Sequence, residues 1–147
     1  MKINDVQKEI DLHIKRVNAI LPEIESLFPL KTKDFENINI LKSIDSFIYR
    51  FIKIQDKMGD KLFPAVLESL QEYKYNMPFI DILNKLEKLE LLPSADEWID
   101  FRNLRNTLTH EYPDNEDEII EAIKLAVVVY NKMITIYSEM INYVQRK

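Results

Sequence analysis

Asn115-Glu116-Asp117-Glu118, followed by Ile119, Ile123, Ala126, Val127, Tyr130, Ile134, Tyr137, Ile141 and Val144, is the stretch on which the fold turns. Apolar residues that return every three or four positions form one stripe on a helix of 3.6 residues per turn. Asn115 caps its start, and the three acids behind it suit the positive end of the helix dipole. Val128 and Val129 fall off the stripe, so more than one side of this helix is expected to be buried.

The same period recurs upstream. Val6, Ile10, Ile14, Val17, Leu21 and Ile24 define a first helix, with Pro22 as a kink or an end, and Pro29 with Lys31-Thr32-Lys33 reads as the loop after it. Leu41, Ile44, Ile48, Phe51, Gln55, Met58, Leu62, Val66 and Leu70 define a second, widened by Phe47 and Ile54. Gly59 and Pro64 interrupt this series. Pro64 cannot donate a backbone bond to Asp60 and crowds its carbonyl, which predicts a kink or short break near 59–63. A third helix is expected from Phe79 to about Leu91, with Pro78 in its first turn and Asn76 as its cap. Ser94-Ala95-Asp96-Glu97 has the form of a capping box and opens a fourth helix carrying Trp98, Phe101 and Leu104. Pro113 biases Tyr112 away from the α region and closes that helix near His110. The prediction is one all-α domain over residues 1–147, an antiparallel bundle of about five helices. Apolar surface to spare on the second and fifth makes a homodimer the simplest completion.

Composition narrows the function. The chain has 147 residues, 46% of them hydrophobic, one glycine, no cysteine and a formal net charge of -5. That length supports a real core. One glycine argues against phosphate-cradling loops. The missing cysteines exclude thiolate nucleophiles and cysteine-based zinc sites, and two histidines are too few for a conventional histidine-rich metal centre. The acidic balance speaks against charge-driven, non-specific nucleic-acid binding, although a local basic site is compatible with it. No apolar run approaches the roughly 18 residues of a membrane span, and Met1-Lys2-Ile3-Asn4-Asp5 lacks the apolar region of a signal peptide. A soluble, cytoplasmic protein is the expectation.

Chemistry concentrates in Arg105-Asn106-Thr107-Leu108-Thr109-His110-Glu111-Tyr112. Arg105 offers a permanently charged fork matched to phosphate. His110 titrates near neutrality and can act as general base or acid. The dipole at a helix C-terminus favours its protonated form, while Arg102 and Arg105 oppose it. Asn106 adds a neutral donor and acceptor. These groups suit RNA cleavage by attack of a 2′-hydroxyl on the adjacent phosphate, a reaction that requires proton transfer and charge stabilisation but no metal ion. On an ideal helix Arg102, Asn106 and His110 fall roughly in line, whereas Arg105 stands about 140° from His110. A long side chain, a frayed last turn or a second subunit has to bring the two together.

Arg105-x4-His110-x-Tyr112, with Asn106 directly after the arginine, resembles the motif of the HEPN superfamily, in particular its HepT-like toxins. The helical layout, with the motif between the last two long helices, is similar too. The resemblance implies a metal-independent endoribonuclease without a cofactor, acting as a homodimer whose motifs meet across the interface. Arg105 and His110 would carry cleavage and Asn106 would support them. It further implies a nucleotidyltransferase antitoxin that adenylylates Tyr112. Arg102-x7-His110 is a second register, longer than the family's usual spacing, which leaves Arg102 as a supporting phosphate contact or a salt-bridge partner. The alternative is a non-catalytic HEPN-like module that binds a nucleotide or a nucleotidyltransferase partner.

Each residue also has an ordinary structural use. His110 would bond the terminal carbonyls of its helix; Arg102 and Arg105 would pair with Glu97, Asp100 or acids on another helix; Tyr112 would be an aromatic at the core edge. His13, beside Ile10 and Ile14, reads as a boundary residue. Tyr73, Tyr75, Met77 and Phe79 are more often packed than used to stack bases.

Overall fold

The computed structural model describes residues 3–110 and 115–146, with His110 described for its backbone alone. Among the described residues the chain is all α, without strands. Helix α1 spans Ile3–Ser26, a 3-10 turn spans Thr32–Glu36, and α2 spans Ile38–Lys57. Helix α3 covers Phe63–Ser69, α4 Phe79–Lys88, α5 Ala95–His110 and α6 Glu116–Gln145. No helix among the described residues is long and apolar enough to cross a membrane.

The periodic stripes become the core. Val6, Ile10, Val17 and Ile24 of α1 are fully buried, as are Ile44, Phe47, Phe51 and Ile54 of α2. Burial of such side chains contributes roughly 1.5–3 kcal/mol each. Pro22 neither ends α1 nor breaks it, because the helix runs through to Ser26. On α6 the buried set is wider than one stripe. Val129, Met133, Ile136 and Met140 are buried beside Ile119, Ile123, Tyr130, Tyr137 and Ile141, whereas Val127, Ile134 and Val144 are only half-buried. The second buried side expected from Val129 exists; Val128 stays exposed.

Polar bonds pin α6 to α1. The Tyr130 hydroxyl donates to Asn18 Oδ1 at 2.8 Å, and the Tyr137 hydroxyl to Asp11 Oδ1 at 2.6 Å. Burial pushes the Tyr130 phenol up to about 12. Burial raises Tyr137 further still, helped by its bond to the Asp11 carboxylate.

The caps largely follow the sequence. Ser94 Oγ accepts from Glu97 N at 3.1 Å, and Asn115 Oδ1 accepts from Glu118 N at 3.2 Å. Asn76 does not cap α4; Pro78 takes that position without a side-chain bond, and Asn76 adopts a left-handed φ of 59° in the preceding turn. Asparagine tolerates that conformation better than most residues, which suits it to the turn. Helix α4 also ends earlier than Leu91, because Glu90 turns left-handed (φ 63°) and Leu91 N–H closes back on Leu86 O.

The interruption around Gly59 and Pro64 positions the site. Instead of breaking, the chain widens by one residue into a π-turn over Met58–Leu62, closed by Phe63 N–H donating to Met58 O. Helices α2 and α3 are thereby joined without a loop. A wider turn accommodates the missing donor and the ring of Pro64, and such turns recur at functional sites.

Candidate functional site

Helix α5 packs inward through Trp98, Phe101, Leu104 and Leu108, all buried. Trp98 sits against Phe63 with ring centres 4.7 Å apart and against Phe101 at 5.6 Å. That anchoring fixes the rotation of the helix. On an ideal helix Trp98, Arg105, Arg102 and Asn106 then fall within about 100° of arc, and all four line one cavity of about 220 Å³. The opposite wall is the end of α2 and the π-turn, which supply Asp56, Gly59 and Asp60, and α4 supplies Phe79.

Arg105 is held as a fork. Its Nε donates to Asp56 Oδ1 at 3.2 Å and its Nη2 to Asp56 Oδ2 at 3.0 Å. The ion pair expected for Arg105 therefore exists, with an acid on α2 rather than Glu97 or Asp100; Glu97 instead faces Lys132 at 3.7 Å. Bidentate pairing aligns the guanidinium and leaves its remaining N–H groups available to a second acceptor. Arg102 is treated differently. Its guanidinium stands 4.6 Å from the centre of the Phe79 ring, and among the described residues no carboxylate lies within 4.0 Å of it. Stacking of this kind orients an arginine without neutralising it.

Two further groups have unspent capacity. Trp98, 1% exposed, carries the one buried side-chain polar atom without a hydrogen-bond partner among the described residues, its indole Nε1. Asp60 is exposed and makes no ion pair among the described residues. Gln55, buried at the base of the cavity, donates to Phe101 O at 3.1 Å and ties α2 to α5.

Arg102, Arg105 and Asn106 are thus brought together. The His110 side chain and Tyr112 lie outside the described residues. Asp56, Asp60 and Trp98 were not singled out as site residues from the sequence, and Phe79 was weighed for base stacking but read as packed. The signal for the two acids was modest: they stand at i and i+4 around the chain's one glycine, in a stretch already marked by Pro64.

A second cationic region lies between α1 and α2, where Lys15, Arg16 and Arg50 line a shallow groove. Arg50 and Lys53 both stand over the exposed Tyr49 ring, at 5.3 and 5.5 Å. Arg50 Nη1 lies 3.0 Å from His13 Nδ1, with the half-buried His13 at the boundary expected of it. Burial first, then Arg50, Lys57 and Lys53, hold His13 below the usual histidine range, so it accepts from Arg50 as a neutral ring. The net charge of -5 is therefore unevenly spread.

No group of three or more histidine or acidic side chains is placed to hold a metal ion among the described residues. No family model, curated protein or solved structure matches the chain.

Proposed function

We propose that the protein is a HEPN-like, HepT-like endoribonuclease toxin that cleaves RNA by attack of a 2′-hydroxyl on the neighbouring phosphate. The observation that carries this reading is the cavity wall on which Arg105, aligned by Asp56, stands beside Asn106 and Arg102 one to two turns before His110. Arg105 binds the phosphate and stabilises the charge that grows on its oxygens. His110 takes the 2′-hydroxyl proton as the 2′-oxygen bonds to phosphorus. The bond to the 5′-oxygen breaks, and that oxygen leaves with a proton returned to it by an acid. The products are a 2′,3′-cyclic phosphate and a 5′-hydroxyl. The cations along α1 and α2 give the RNA backbone a second place to lie.

The active form in this reading is a homodimer. Helices α5 and α6 share a shallow, mainly apolar groove lined by Leu104, Ala122, Leu125 and Val128, with Leu125 51% and Val128 50% exposed. A second copy covering this face sets two copies of α5 near each other, so that the arginine of one chain and the histidine of the other share a phosphate. That arrangement accommodates the 140° between Arg105 and His110 on one helix. Neutralisation follows from a nucleotidyltransferase antitoxin that adenylylates Tyr112, since the added phosphates compete with RNA for Arg105.

A binding-only reading is favoured by one observation, the engagement of Arg105 by Asp56. The test separates the two. Expression of the wild-type chain in a bacterial host without the antitoxin is expected to arrest growth and fragment RNA, and His110→Ala or Arg105→Ala to abolish both while the protein stays folded. Folded wild-type protein that leaves RNA intact would place the binding module first.

A further inference from the structure

The cavity beside Arg105 holds more recognition chemistry than phosphate binding uses. Three of its groups are uncommitted in three different ways. Arg102 is a cation without a carboxylate partner, Asp60 is a carboxylate without a cation, and Trp98 offers a buried N–H with no acceptor. A phosphate would satisfy the arginine and the indole but be repelled by Asp60. A simple cation would satisfy Asp60 and be repelled by Arg102. The occupant therefore presents acceptors on one edge and donors on another.

Size narrows it further. Drug-sized ligands fill clefts of roughly 300–1,000 Å³, so a cavity of about 220 Å³ suits a single flat ring system. A Cβ at Gly59 would lie 3.5 Å from the Phe79 ring and 3.7 Å from Trp98 Nε1, in ordinary contact with both, so the glycine leaves one methyl group's worth of space beside the indole N–H. We propose that this cavity is a guanine subsite, in which Asp60 accepts from the base N1–H and N2–H groups while Arg102 and Trp98 donate to its O6 and N7. Guanine alone among the four RNA bases carries two adjacent donors matched to one carboxylate. It also carries the O6 and N7 acceptor pair that arginine reads best. Adenine, cytosine and uracil each set an acceptor against Asp60, which loses a hydrogen bond and adds repulsion between lone pairs.

The consequence, a preference for cutting beside guanosine, rests on the ribonuclease reading; the binding itself does not. Trp98 is the chain's one tryptophan, so its fluorescence reports on this cavity directly. The experiment titrates GMP, AMP, CMP and UMP into the full-length His110→Ala protein and follows that fluorescence. It repeats the titration with Asp60→Asn and Arg102→Gln added, both at exposed positions, with the fold of each variant checked by circular dichroism. GMP is expected to give a saturable change, with the other three nucleotides at least about tenfold weaker and either substitution costing GMP about tenfold or more. An equal response to all four nucleotides, no saturable response, or a GMP response untouched by Asp60→Asn would overturn the subsite. Mapping the 5′ ends of RNA cut by the wild type keeps the two claims apart. Cleavage without selective GMP binding removes the subsite and leaves the nuclease. GMP binding without any cleavage removes the nuclease and leaves the subsite.

Discussion

The seam between α1 and α6 and the cavity between α2 and α5 are built from similar residues and treated in opposite ways. At the seam each buried phenol has a partner: Tyr130 meets Asn18 and Tyr137 meets Asp11. At the cavity the buried indole N–H of Trp98 is left without one, beside an exposed carboxylate and an exposed guanidinium that form no ion pair among the described residues. A group that serves the fold alone gains nothing from an empty valence, because burying an unpaired donor costs about 1–3 kcal/mol. The difference supports reading the seam as structure and the cavity as the proposed ligand site.

Trp98 belongs to both worlds and gives the largest effect. Trp98→Ala is expected to cost about 3–5 kcal/mol in denaturant unfolding, through loss of its packing on Phe63 and Phe101. Trp98→Phe keeps most of that packing and removes the orphan N–H, so its cost should be well below that of the alanine variant. A phenylalanine variant as unstable as alanine would mean that the N–H has a structural partner after all. At the seam, Tyr137→Phe removes a hydrogen bond to a carboxylate and should cost about 1.5–3 kcal/mol by the same measurement. Asp56→Asn loosens a partly exposed pair with side chains 27% and 39% accessible, so its effect on stability should stay below about 1 kcal/mol. Its effect on RNA cleavage should be the larger one, because Arg105 loses its alignment.

The smallest effect concerns pH. His13 is held below its ordinary value in the folded chain, so the fold favours the neutral ring. The associated stability is fully present above the unfolded value of about 6.5 and is lost as pH falls through the lower folded value. Unfolding followed between pH 7 and 5 should show a decline that His13→Gln reduces. An identical decline in both proteins would remove His13 as its source.

The same division explains what could be read from the chain. Helix stripes, the Ser94 and Asn115 caps and the disturbance around Pro64 depend on neighbours within a few residues, and each was visible. The π-turn is a finer outcome, since a missing donor at Pro64 allows either a break or a widened turn, and packing of Met58 and Leu62 into the core selects the latter. Asn76 was misassigned because capping and left-handed turns favour the same residue type. The Arg102–Asn106 side of the site was visible as a motif. Its other wall was not, because Asp56 meets Arg105 across 49 residues of sequence and only the docking of α2 on α5 brings them together.

The central claim is that this site cuts RNA, and purified protein tests it most directly. Wild type, Arg105→Ala and His110→Ala are incubated with a defined RNA in a chelating buffer, and the new ends are identified. The account predicts 2′,3′-cyclic phosphate and 5′-hydroxyl ends from the wild type and intact RNA from both folded variants. Intact RNA with the wild type, or equal cleavage by all three proteins, would contradict it.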